Sequence, residues 1–152
     1  MSKTRIMQEA LRCARQALPD CLPNPPVGSV LVKQDLIVAQ GYTRAPGYYH
    51  AEADVLSQVE GTLEEYELYV ILEPCSFHGR TPSCARAIVE RRVGKVYVGI
   101  LDPHPRNRGA GIALLEQGGI PVEVGLLADP ITAWLSPYLH HEPEPFTQNR
   151  GC

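Results

Sequence analysis

Two short stretches of the sequence hold the residue types from which a metal site could be made. "HAEADVLSQV", residues 50–59, places His50 two positions before Glu52, and "LEPCSFHGRTPSC", Leu72 to Cys84, holds Cys75 and Cys84 with eight residues between them. One imidazole and two thiolates make a sound ligand set for a single zinc ion per chain, with the fourth tetrahedral position left to water, as in catalytic rather than structural sites. Such a set leaves little net charge on the metal, so its water gains from a nearby base. Glu52 can lie close to the metal without binding it, take the water's proton and later hand protons to a substrate. Each residue also has a plainer reading, a structural histidine and two buried, apolar cysteines. The eight-residue gap excludes a tight zinc knuckle, and "HAEAD" does not fit the H-E-x-x-H of zinc proteases.

These residues need elements to position them. Ile6, Ala10, Cys13, Ala14 and Ala17 recur at helical spacing, and "LPDCLPNPP" breaks that helix with four prolines in nine residues. "VGSVLVK" and "LIVAQGY" read as a hairpin turning near Gln34 and Asp35. A short helix from about His50 to Val59 follows, then the strand "ELYVILE" ending at Glu73. Thr81, Pro82 and Ser83 read as the N-cap and first turn of a helix running to about Arg92, before the strand "KVYVGIL". After a loop from Asp102 to Arg108, "GIALLEQGG" is a helix with a glycine stop and "IPVEVG" a fifth strand. Pro130 and Pro137 leave at best a weak final helix between Asp129 and Leu139. The alternation predicts an α/β protein, a mixed five-stranded sheet with helices packed on it. His50 and Cys84 then stand at two helix starts able to face each other, and helix N-termini favour thiolates.

The chain has 152 residues, 44% of them hydrophobic and 20% charged, which suits one domain with a core that needs no disulfides. Residues 1–140 read as that domain, and the polar stretch 141–152 as a flexible tail. No apolar run approaches the ~20 residues of a membrane span. The N-terminus lacks the apolar stretch of a secretory signal, so a cytoplasmic location is expected. Five cysteines in a reduced compartment favour metal ligation or burial over a disulfide framework. Net charge −3 argues against a general nucleic-acid binder. From Arg80 to Arg108, however, seven basic residues face two acidic ones, enough for a phosphate or merely a solvated face.

The order H-x-E, then P-C and a later Cys, is that of zinc nucleobase deaminases, which commonly place two residues between the cysteines. "NPPVG", "HAE" and "LEPCSFHGRTPSC" followed by "DPHP" more specifically resemble the deaminase domain of bacterial riboflavin biosynthesis. The likeness runs from about Lys3 to Ala128. It implies a three-layer α/β/α cytidine-deaminase-like fold and hydrolytic removal of an amino group from a phosphoribosylated diaminopyrimidine, a small-molecule substrate. It also implies zinc on His50, Cys75 and Cys84, with Glu52 as proton shuttle. Asn24 matches the asparagine that contacts the pyrimidine, and Arg80 with Thr81 the segment near the ribose phosphate. The Pro74 carbonyl is expected to orient the amine, while Phe77, His78, Asp102 and His104 are further expected substrate contacts. A separate reductase is an expected pathway partner, and homodimers or homotetramers are usual in similar folds.

Three positions depart from the family pattern. Thr43 and Phe77 each stand where histidine is usual, and His104 replaces the asparagine of "DPNP". They leave the zinc chemistry intact but bear on which ring or sugar is accepted. The alternatives are therefore a zinc deaminase of another base, nucleotide or nucleic-acid base, and a zinc-stabilised binding protein without catalysis. Glu52 argues against the last, since a purely structural site has no use for a proton shuttle.

Overall fold

A computed structural model of the chain describes residues 1–77 and 83–139. The reading of 141–152 as a tail, and the helix start at Thr81 and Pro82, lie outside the described residues.

Helix α1, Lys3–Arg15, buries Ile6, Met7, Ala10, Cys13 and Ala14, one stripe at helical spacing. Ser2 caps it by accepting from Arg5 N at 3.2 Å. Strands β1, Gly28–Lys33, and β2, Leu36–Tyr42, form the expected hairpin. Its two turn residues, Gln34 (φ 51°) and Asp35 (φ 63°), both take the left-handed conformation that matches the twist of a tight hairpin. Strands β3, Tyr66–Leu72, β4, Lys95–Ile100, and β5, Val122–Val124, complete a sheet in the order β2-β1-β3-β4-β5. β1 is antiparallel to β2 and β3, whereas β3, β4 and β5 run parallel, so the sheet is mixed as expected. β3 and β4 lie inside the sheet with helices on both faces, which is why "LYVIL" and "VYVG" are unbroken apolar runs.

The sheet's two faces carry different helices. Gly28 presses against the backbone of α1 at Ala10 and Ala14, and Gly99 against Ile131 of α5, Ala128–Leu135. On the opposite face lie α2, Ala51–Ser57, α3, Cys84–Glu90, and α4, Ala110–Gln117. Ser29 Oγ ties β1 to α2 by donating to Ala51 O at 2.8 Å. A Cβ on Gly41 would come within 2.9 Å of the same carbonyl, so glycine is what lets β2 approach α2. The architecture is α/β/α.

Two elements differ from expectation. α5 is a full helix, continued by a 3₁₀ turn at Ser136–Tyr138, because Pro130 falls in its first turn, where no N–H is needed, and Pro137 falls in the first turn of the 3₁₀ segment. α3 ends at Glu90, a little before the expected end at about Arg92. Its N-cap is Ser83, whose Oγ accepts from Arg86 N at 3.1 Å, and the left-handed Arg92 (φ 56°) ends it.

Candidate active site

The start of β1, the C-terminal ends of β3 and β4, and the N-termini of α2 and α3 meet at one end of the sheet. Antiparallel β1 begins where β3 ends, and the parallel β3–α3–β4 connection brings Cys84 back beside the segment after β3 that carries Cys75. His50 is the N-cap residue of α2 and Cys84 the first residue of α3.

The donor atoms of His50, Cys75 and Cys84 lie within 4.8 Å of one another, with Cys84 Sγ 3.9 Å from His50 Nδ1. Both cysteines are buried, and Cys84 N donates to Cys75 Sγ at 3.4 Å, as the amides of a helix start do for a thiolate. One nitrogen and two sulfurs then form a donor set that suits a borderline-soft ion and not magnesium or calcium. Cys13 and Cys21 are buried elsewhere, and burial raises both thiols.

Glu52 is 4% exposed and faces the same cleft. Burial pushes its carboxyl up to about 7, against the opposing pull of a backbone hydrogen bond. A carboxyl poised there exchanges protons readily near neutrality.

The cleft, about 450 Å³ counting its open mouth, is lined by Asn24, Thr43, His50, Glu52, Cys75, Phe77 and Asp102, together with Pro25, Val27, Leu72 and Glu73. Asn24, Phe77 and Asp102 are thus brought to the cluster of His50, Cys75 and Cys84. Pro74 and His104 are outside the lining. Pro74 O is turned to α4 and Asn107, accepting from Asn107 Nδ2 at 3.2 Å. His104 closes its own loop, its N–H donating to Asp102 Oδ1 at 3.0 Å while its Nδ1 accepts from Arg106 N at 3.2 Å. Thr43 Oγ1 accepts from Val27 N at 3.0 Å, so part of its polarity serves the backbone. His78, Arg80 and Thr81 lie outside the described residues.

Sequence reasoning missed Glu73 and Asn107. The Glu73 carboxylate, 3% exposed, accepts from Asp102 N at 3.1 Å, Gly109 N at 3.0 Å and Ile112 N at 3.1 Å. It clamps the β4–α4 loop to the end of β3. An acidic residue directly after the apolar run of residues 68–72 was the available signal, but nothing in the sequence points to the amides it meets. The loop before His50 is fixed similarly. Asp54 Oδ2 accepts from Arg44 Nη2 at 2.8 Å, Arg44 Nε at 3.1 Å and Tyr42 N at 3.2 Å.

A mixed α/β/α sheet with one histidine, two cysteines and a buried glutamate at helix starts defines a class of zinc-site deaminases. The chain belongs to the family of the cytidine and deoxycytidylate deaminase zinc-binding region, which it matches over residues 1–100. It is 40% identical over 141 residues to the riboflavin biosynthesis protein RibD of Actinobacillus pleuropneumoniae, covering 93% of this chain and 37% of that protein. Among solved structures, Acinetobacter baumannii RibD superposes with a TM-score of 0.83 at 38% identity, covering 90% of this chain and 38% of that one. The diaminohydroxyphosphoribosylaminopyrimidine deaminase/5-amino-6-(5-phosphoribosylamino)uracil reductase of Thermotoga maritima gives 0.83 at 33% identity, covering 89% and 39%. The chain therefore spans little more than a third of the length of these relatives.

Proposed function

We propose that the chain is a zinc-dependent hydrolytic deaminase acting on the phosphoribosylated diaminopyrimidine of riboflavin biosynthesis. One observation carries this reading: the donor atoms of His50, Cys75 and Cys84 gather beside a buried carboxylate, Glu52, that is no part of the donor set. Zinc bound by these three residues would supply a polarised water at neutral pH. Glu52 takes a proton from the attacking water and gives it to the ring nitrogen beside the carbon that bears the amine. It then takes the remaining proton from the added oxygen and delivers it to the amino group, which leaves as ammonia as the oxygen becomes the carbonyl. Phe77 offers a ring face to a flat substrate, and Asn24 and Asp102 offer polar edges. The names of the RibD relatives support the choice of substrate. A reductase would consume the product. A homodimer or homotetramer in the cytoplasm fits the reading, and among the described residues no helix is long and apolar enough to cross a membrane.

The test is ammonia release by the reduced, zinc-loaded protein from the diamino-ribosylamino-pyrimidinone phosphate, with Glu52→Gln as control. Release by the parent should fall roughly 10²- to 10⁴-fold in the variant. A parent that holds zinc yet deaminates deoxycytidylate instead would keep the class and replace the substrate. Zinc binding with turnover of no aminopyrimidine would point to a binding protein.

A further inference from the structure

Asn107 lies in the loop between β4 and α4, fully buried between two exposed arginines, Arg106 and Arg108. Its Oδ1 accepts from Ser76 N at 2.9 Å, and its Nδ2 donates to Pro74 O at 3.2 Å and to Asp102 Oδ2 at 3.3 Å. The carboxamide cannot be reversed, because Ser76 N offers only a hydrogen and Pro74 O only lone pairs. Pro74 and Ser76 are the neighbours of Cys75, so one side chain pins both flanks of a metal ligand. Its remaining donor fixes Asp102, a wall of the cleft. Gly111 backs this arrangement, since a Cβ there would come within 2.0 Å of Pro74 O.

We propose that Asn107 is a positioning residue of the site. It sets where the Cys75 thiolate stands relative to His50 and Cys84, and where the Asp102 carboxylate stands in the cleft. The inference rests on the zinc reading above. All three side-chain bonds of Asn107 go to the site, while the docking of its loop onto β3 is held separately by Glu73 through the amides of Asp102, Gly109 and Ile112. Removing the carboxamide should therefore loosen the ligand and not undo the fold. Loss of such an outer partner typically weakens metal binding 10- to 100-fold.

The test uses the reduced chain with Asn107→Leu, which fills similar space without polar atoms, and Asn107→Asp, which keeps the acceptor for Ser76 N and loses both donors. Ile131→Ala, a core truncation in α5 on the other face of the sheet, is the comparison for plain destabilisation. The readouts are zinc affinity by competition with a chromophoric chelator, the thiolate-to-metal absorption of the cobalt(II)-substituted protein, and kcat and KM separately. Asn107→Leu should weaken zinc binding about 10- to 100-fold, shift the cobalt absorption and lower kcat. Asn107→Asp puts a carboxylate against Asp102 Oδ2 and Pro74 O and should weaken zinc binding at least as much, and it carries the test if Asn107→Leu does not fold. Ile131→Ala should lower the melting temperature and leave zinc affinity and spectrum as in the parent. Parent-like affinity, spectrum and kcat in the Asn107 variants, or equal changes in Ile131→Ala, would overturn the proposal alone. A parent that binds no zinc would overturn both it and the functional reading, and is recognised from the parent without any variant.

Discussion

Glu52 is an acid whose folded-state value, about 7, stands above its ordinary 4.5 because burial disfavours its charge. In metal-free protein such a group gives its full contribution to stability below about 4.5, and that contribution is lost as pH rises toward 7. Metal-free Glu52→Gln should accordingly match the parent's stability trend at low pH and gain on it as pH rises. By pH 8 the gain should be on the order of 3 kcal/mol. Urea unfolding of both proteins across that range, in chelator and reductant, measures the difference, and a constant offset would contradict it. His50, Glu52, Cys75 and Cys84 were legible in the sequence because zinc chemistry admits few residue types and both local patterns sit at helix starts. Asn107 was not legible: its side-chain partners Ser76 N and Pro74 O lie 31 and 33 positions away, and backbone groups leave no mark on residue identity. His104 was read as a substrate contact, and the structure shows its backbone N–H and Nδ1 engaged with its own loop.

At the scale of elements, α2 carries His50 and is held at its far end by a cation. Arg91 Nε donates to Gly61 O at 2.7 Å and Nη1 to Leu56 O at 2.9 Å, and Nη2 reaches Val59 O. These carbonyls belong to the last turn of α2 and the segment after it, where helix geometry leaves acceptors without partners. Arg91→Lys keeps the charge and loses the planar fork, so it should cost about 1–3 kcal/mol, seen as a lower midpoint in thermal unfolding. Gly41→Ala should be as damaging, because its methyl would push α2 off β2. The strands and the hairpin were legible from alternation, unbroken apolar runs and turn residues. α5 was under-read because two prolines were weighed as breakers, although a proline's effect depends on whether its missing N–H had a partner to lose. Ile131 and Leu135, both fully buried, are what the helix contributes to the core.

For the whole molecule, a metal that binds the folded chain and not the unfolded one adds to stability by mass action. Free zinc at 1,000 times its dissociation constant should add about 4 kcal/mol, less whatever the unfolded thiols retain. Titration of zinc during thermal unfolding checks this, and a midpoint that does not move with metal would contradict it. The cysteines are 9 positions apart, whereas His50 and Cys84 are 34 apart and arrive on different helices. A chain still searching for its fold can present two sulfurs together long before an imidazole joins them. The complete ligand triangle thus belongs to the end of folding, and its influence on rates is lopsided. In stopped-flow experiments zinc should slow unfolding markedly and leave the refolding limb almost where it was, so that the ion acts as a latch on a finished structure and not as a seed for it.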